Sequence, residues 1–310
     1  MRTILMATGA IAVPALKRLV AEGSRPLALV TQPDRPAGRH QHEAVPPPVK
    51  PVAVEAGIPV LQPERADDAM PELAALRPEI VLVMAYGQIL RRPVLELAEN
   101  AIINLHASLL PKFRGAACIQ AAVDAGEAET GVTAMHVVPK LDAGDIILAR
   151  SIPILPTDTG GTMHDKLAAL APDVLMETLA MLADGNAPRV PQDASQASHV
   201  GKLARDDGRL DWTRSAGALE RRIRAYDPWP GTFTTYRHRG RVKRLKVFPQ
   251  TTVTDAGGLG PGDVRHDGDQ LRVGCGSGAL ALETVQPEGG RRMSPGEFAR
   301  GHEVDRLGAE

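Results

Sequence analysis

The 310-residue chain is poor in aromatic residues, at 3%, and it holds two cysteines, Cys118 and Cys275. With so few rings, Leu, Val, Ile and Ala must build the core. Two cysteines far apart, with no CxxC, exclude a disulfide framework and a cysteine-based zinc site. No run of about 18 apolar residues occurs, so no membrane-spanning helix is expected. The start, MRTILMATGAIAVPAL, lacks the apolar stretch and cleavage site of a secretory signal, and it reads as a first strand and helix of a cytoplasmic protein. Neither sign of charge dominates: 36 Lys+Arg face 37 Asp+Glu, for a net charge of −1. The whole chain is therefore no general polyanion binder. Three further signatures are missing. The first strand–helix turn, Ala7-Thr8-Gly9-Ala10-Ile11-Ala12, is not GxGxxG, and there is no GxxxxGK[ST], which disfavours a dinucleotide or a P-loop nucleotide. There is also no GxSxG elbow for a serine hydrolase.

What is present is enough chain for two domains with cores of their own. Apolar runs at Thr3–Met6, Leu27–Thr31, Ile58–Leu61 and Ile80–Met84 alternate with helical patterns at Val13–Ala21, Pro48–Ala56 and Met70–Leu76. Continuously apolar strands between helices predict a Rossmann-like α/β domain with a mostly parallel sheet. Gly115–Asp124 reads as a helix, and Gly131–Pro139 and Ile146–Ile154 as strands. Thr162–Leu182 reads as a long helix, capped by Thr162 with Asp165 and kinked or split at Pro172. Asn186–Ser198 is polar, holds two Pro and has no periodicity, so it reads as a linker. Beyond it, a helix at Ser215–Arg224 precedes short strands at Gly231–Tyr236, Val242–Phe248, Leu271–Val273 and Ala279–Val285, which suggests a smaller OB-like β-barrel. The expected division is 1–188, a linker over 189–206, and a barrel domain over 207–310. From Asp207 onward there are 17 Lys+Arg against 14 Asp+Glu, a mild hint of an anionic partner or an ordinary solvated surface.

Gln32–Pro51 is rich in proline and cannot form a regular element. Its His40 and His42 form an HxH, but no third ligand stands at a sensible spacing, so a surface loop is expected there and no metal. Attention falls instead on Ala101–Cys118. A short apolar strand ends in Asn104 and His106, followed by the turn Ser108-Leu109-Leu110-Pro111. Strand ends of this kind carry the ligands of open α/β sheets. Asp142 lies in a later strand-turn, and neighbouring strand ends of a parallel sheet can bring it to His106. Histidine can carry a proton near pH 7, a carboxylate can hold its tautomer, and a carboxamide can donate to a developing oxyanion. Ser108 nearby raises Ser–His–Asp hydrolysis as another use of the same groups. A histidine merely satisfied at a strand end stands beside both.

The stretch NLHASLLPKFRGAACIQAAVDAGEAETGVTAMHVVPKLDAGDII resembles the 10-formyltetrahydrofolate-dependent formyltransferases, whose pattern is N-x-H-G-S-L-L-P, R-G-A-A-P-I-Q, E-T-G-V-T and L-D-x-G-D. TQPDRPAGR, the Pro48–Lys50 PVK, VMAYGQIL, Asp227-Pro228-Trp229-Pro230 and QPEGGRRMSPGEF are similar to the methionyl-tRNA branch of that family. The resemblance spans nearly the whole chain. It implies transfer of a formyl group from 10-formyltetrahydrofolate, without metal, to the amine of initiator methionyl-tRNA. Asn104 would hold the oxyanion, His106 would accept or relay the amine proton, and Asp142 would orient His106. Folate would meet Ser108, Leu109, Leu110 and Pro111, the loop of Ala85, Tyr86 and Gly87, and apolar walls at Ile89, Leu90 and Val138. The tRNA would meet Arg35, Arg39, Lys202, Arg221, Arg222, Arg224, Lys243, Arg244, Lys246, Arg291 and Arg292. A monomer is expected.

The chain departs from the pattern in three places. Leu5–Ala12 stands where the family carries F-x-G-T-P-x-F-A. His40-Gln41-His42-Glu43 replaces Gly and Lys. Cys118 replaces a Pro, and Ala107 a Gly. An amino-sugar formyltransferase, a formyl-folate hydrolase and a non-catalytic folate- or RNA-binding module are the competing readings.

Overall fold

The computed structural model describes residues 1–36 and 44–308. The chain divides into two compact units. The first comprises Met1–Cys118, Glu129–Ile152 and His164–Val200; the second comprises Ile119–Ala128, Pro153–Met163 and Gly201–Glu310.

The first unit is built on strands β1 (Thr3–Ala7), β2 (Ala28–Val30), β3 (Val60–Leu61), β4 (Ile80–Met84), β5 (Ala101–His106), β6 (Glu129–His136) and β7 (Ile146–Pro153), with helices α1 (Val13–Ala21), α2 (Val49–Glu55), α3 (Met70–Ala75) and the short α4 (Arg92–Leu95) between the early strands. Every residue of β1 and β4 is buried, as expected of central strands covered on both faces. The sheet runs in the order β7-β6-β5-β4-β1-β2-β3. The pairings of β3 with β2, β2 with β1, β1 with β4 and β4 with β5 are parallel. The order reverses between β1 and β4, which places a topological switch point at their carboxyl ends.

The parallel run stops at β5. Strand β6 pairs with it antiparallel, with Ile103 opposite His136 and His106 opposite Thr133. The expectation that Asp142 arrives at a parallel strand end is therefore corrected. A buried apolar run reads alike in either direction, so the sequence pattern did not show the reversal. The loop after β6 has to turn back along the sheet edge to bring Asp142 to His106.

Three local expectations change as well. The helix expected from Gly115 begins at Cys118 (α5, Cys118–Ala125), because Arg114–Gly115 is drawn into a parallel two-residue pair with His199–Val200. The helix expected from Thr162 begins at Gly160 (α6, Gly160–Ala183) and runs as one element through Pro172. Its start is fixed one turn earlier than expected: the Thr159 amide donates to Thr162 Oγ1 at 2.9 Å and the Thr162 amide to Thr159 Oγ1 at 3.2 Å. Asp165 turns to His164 instead. The proline-rich segment is also more regular than expected, since Arg35–Pro36 pairs antiparallel with Ala44–Val45. Arg39, His40 and His42 lie outside the described residues.

In the second unit, α7 (Ala216–Ala225) is capped by Ser215, whose hydroxyl accepts from the Ala218 amide. The strands are β8 (Thr232–His238), β9 (Arg241–Val247), β10 (Thr252–Thr254), β11 (Val264–Asp267), β12 (Gln270–Gly274), β13 (Ala279–Leu282) and β14 (Val285–Pro287). They form two antiparallel sheets, β8-β9-β14 and β10-β13-β12-β11, a barrel-like arrangement. A second helix, α8 (Pro295–Gly301), follows where the sequence pattern showed one helix only. Leu219 and Ile223 of α7 and Phe298 of α8 close the core with Tyr236, Leu245, Leu271, Val273 and Leu280 from the strands.

Candidate active site

Asn104 and His106 share one strand and, two residues apart, one face of it. Asn104 stands opposite Val83 on one side and Met135 on the other, and its carboxamide has no hydrogen-bond partner among the described residues. His106 is 6% exposed. Its Nε2 lies 3.0 Å from the Phe113 carbonyl, and its Nδ1 lies 3.7 Å from Asp142 Oδ2. Burial alone disfavours the imidazolium. The Cys118 sulfur, then Asp142 and the Phe113 carbonyl, outweigh burial, and His106 is pushed up to about 9. A cationic ring donates to acceptors on both sides, whereas a neutral ring turns a lone pair toward one of them.

Asp142 is held in place by its own contacts. It adopts a left-handed backbone, with φ of +47°, and its Oδ2 accepts from the Gly115 amide at 2.8 Å. Gly144, two residues on, has no room for a side chain: a Cβ there would stand 1.7 Å from the His136 carbonyl oxygen. The Ser108 hydroxyl donates to the Lys112 carbonyl at 2.8 Å, which closes the 108–112 turn. Thr133 of β6 then pins that turn, donating to the Ser108 carbonyl at 2.7 Å and accepting from the Leu110 amide at 3.2 Å. The Ser108 hydroxyl is thus spent on the turn, which removes the support for a nucleophilic serine.

At the switch point, Gly9 donates its amide to the Ala85 carbonyl at 3.2 Å. A proline, which the family pattern carries there, has no such donor. Ala85 and Gly87 both have positive φ. Gly87, with φ of +84°, holds a backbone conformation that a side chain would strain, so this approach is open only as glycine. Tyr86 faces the other way: its ring is packed in the core and its carbonyl accepts from Thr8 and Gln32, which leaves neither group for a ligand. Of the expected apolar walls, Ile89 is 82% exposed and Val138 36%, while Leu90 is buried, as is Leu110 of the expected folate turn.

The segment expected as a linker is a strap on the first unit. The Val190 and Ile146 backbones exchange two hydrogen bonds, Ser198 Oγ accepts from the Phe113 amide at 2.8 Å, and the Ser198 carbonyl accepts from the Arg114 amide at 2.8 Å. Gln192, Ser198 and Thr133 were missed from sequence. The first two sit among polar residues with no periodicity, and Thr133 is one more buried residue of a strand.

The basic residues divide. Arg222 pairs with Asp124 at 2.7 Å, Arg221 donates to the Asp124 carbonyl, and Arg224 pairs with Glu220 and donates to the Asp158 carbonyl. These three are partly buried and hold their own unit together. Arg35, Lys202, Arg244 and Lys246 are exposed and Lys243 is half-buried. Arg244 reaches Asp206 at 3.2 Å and lies over the Phe233 ring, and Arg292 lies over the Phe248 ring.

Residues 1–179 match the formyl transferase family and residues 202–303 match the formyl transferase C-terminal domain. A methionyl-tRNA formyltransferase of Akkermansia muciniphila is 50% identical over 306 residues, covering 97% of each chain. One from Methylococcus capsulatus is 43% identical over 304 residues, again with 97% of each covered. The chain belongs to the methionyl-tRNA formyltransferase family. Among solved structures, an N-formyltransferase from Helicobacter canadensis with folinic acid and dTDP-3-aminofucose superposes with a TM-score of 0.67 at 16% identity, over 91% of this chain and 99% of that one. HypX from Aquifex aeolicus with tetrahydrofolic acid superposes with a TM-score of 0.62 at 16% identity, over 100% of this chain and 51% of that one. At these identities the structures speak for the fold alone. No helix among the described residues is long and apolar enough to cross a membrane.

Proposed function

We propose that the protein transfers the formyl group of 10-formyltetrahydrofolate to the α-amine of methionyl initiator tRNA. The observation that carries this reading is the group of Asn104, His106 and Asp142 at the carboxyl edge of β5, within a chain 50% identical to a methionyl-tRNA formyltransferase along its length.

The amine attacks the formyl carbon directly, and the carbonyl oxygen takes up negative charge. The unpartnered Asn104 carboxamide donates to that oxygen. Buried His106, cationic at neutral pH, adds positive charge beside it and relays a proton from the attacking amine to the leaving nitrogen of the folate. Asp142 holds the ring and keeps it charged. The donor is received by the 108–111 turn and by the glycine backbone at 85–87, with Ile89 and Val138 as exposed apolar surface. Residues 1–188, with the strap that packs on them, carry the chemistry, and residues 207–310 bind the tRNA. The tRNA phosphates are met by Arg35, Arg39, Lys202, Lys243, Arg244 and Lys246, with Arg291 and Arg292 beside them. The protein acts in the cytoplasm as a monomer.

Incubation with 10-formyltetrahydrofolate and methionyl initiator tRNA is expected to yield formyl-methionyl-tRNA. Free formate or a formylated sugar in its place overturns the reading. His106→Ala or Asp142→Ala is expected to slow transfer by at least about 100-fold while folate still binds, measured by single-turnover kinetics and folate titration.

A further inference from the structure

Gln192 reaches the site from the strap, a segment to which the proposed chemistry assigns nothing. Its Nε2 donates to the Asp142 carbonyl at 2.9 Å and to the Gly144 carbonyl at 2.7 Å. Its Oε1 accepts from Arg114 Nε at 3.2 Å and Nη2 at 2.7 Å. Arg114 is 2% exposed, so its guanidinium rests on this neutral acceptor within the interior. One carboxamide therefore ties together the loop that carries Asp142, the residue just before Gly115, and the strap itself.

The loop needs that tie. Asp142 has a left-handed backbone, and Gly144 packs against the His136 carbonyl. Neither residue can drift without losing the arrangement that places Asp142 Oδ2 between the Gly115 amide and His106. Both carbonyls of this stretch point to the same donor. With Gln192 removed, the Asp142 and Gly144 carbonyls and the Arg114 fork lose this shared partner, and the loop loses the tie that fixes its position.

We propose that Gln192 is a positioning residue for the transfer: by holding the Asp142 and Gly144 carbonyls it sets how the Asp142 carboxylate meets His106. The titratable groups around the ring are Asp142 from this loop and Cys118 from α5. Strand β6 sets Thr133 opposite His106, and β4 sets Val83 opposite Asn104, neither of which titrates. Gln192 thus acts on His106 through Asp142.

The test is Gln192→Glu. It keeps the length and the Arg114 partner, but it turns an oxygen on the two carbonyls. The expected result is a fall in kcat of roughly 10- to 100-fold with little change in KM for the folate. In substrate-free Gln192→Met, which brings no carboxylate of its own to the loop, the His106 titration followed by NMR is expected to move down by about half a unit or more as its carboxylate partner slips away. In an Asp142→Asn background the same substitution is expected to cost little more, since both changes break one link. Gln192→Met, uncharged and of similar length, replaces Gln192→Glu if the latter melts far below the parent protein. Wild-type kcat and an unmoved His106 titration in a folded variant overturn the proposal. The kinetic arm rests on the proposed transfer. If the parent protein does not formylate methionyl-tRNA, that function fails, while the His106 titration still decides the role of Gln192.

Discussion

His106 is buried between acceptors, and its charge is a matter of stability as well as chemistry. Its pKa in the folded protein, about 9, stands above the value near 6.5 that an unfolded chain gives it. A raised pKa stabilises the fold fully below about pH 6.5 and loses that contribution as pH climbs through about 9. Urea unfolding between those limits is expected to show falling stability in the parent protein and a flatter profile in His106→Gln. The Cys118→Ala variant, without the largest of the favourable contacts, is expected to narrow the window. Asn104→Ala is expected to have a different signature: in the proposed role the carboxamide serves a charge that exists only in the transition state, so kcat should fall by about 10²- to 10³-fold with the donor's KM nearly unchanged. These two residues were legible because one strand carries both. Gln192 was not, because its meaning lies in which carbonyls its amide meets, and those are 48 and 50 residues away.

At the scale of elements, the decisive feature is the turn-back between β6 and β7. Gly144→Ala is expected to be destabilising by roughly 2 kcal/mol or more, since a methyl group cannot share space with the His136 carbonyl and the loop must move. Chemical denaturation measures that cost. Transfer should fall further than stability alone explains, because Asp142 moves with the loop. The parallel half of the sheet was legible from its apolar runs, and so were the long helix and the strand-rich C-terminal part. The reversal at β6 was not, nor was the strap, whose polar sequence hides backbone pairing with Ile146 and Arg114. The arginines of α7 show the converse. Their charges were plain in the sequence, but Asp124 and Glu220, which occupy them, are known as partners only once the chain is folded.

At the scale of the molecule, a net charge of −1 means that tRNA must be bound by local clusters and not by overall attraction. Lys202→Glu with Lys246→Glu is expected to raise KM for tRNA and to flatten its dependence on salt by about one to two units of log–log slope, leaving folate binding intact. Unchanged salt dependence removes these lysines from the interface. In the proposed reaction, the spacing between oxyanion donor and proton carrier is set within one strand. Asn104 and His106 are separated by a single residue of extended chain, a step of about 6.6 Å set by covalent geometry. Such a strand works as a ruler: it holds its graduation whatever amine is presented to it. A lineage can therefore exchange the acceptor-binding surfaces around this strand and inherit the transfer chemistry already calibrated.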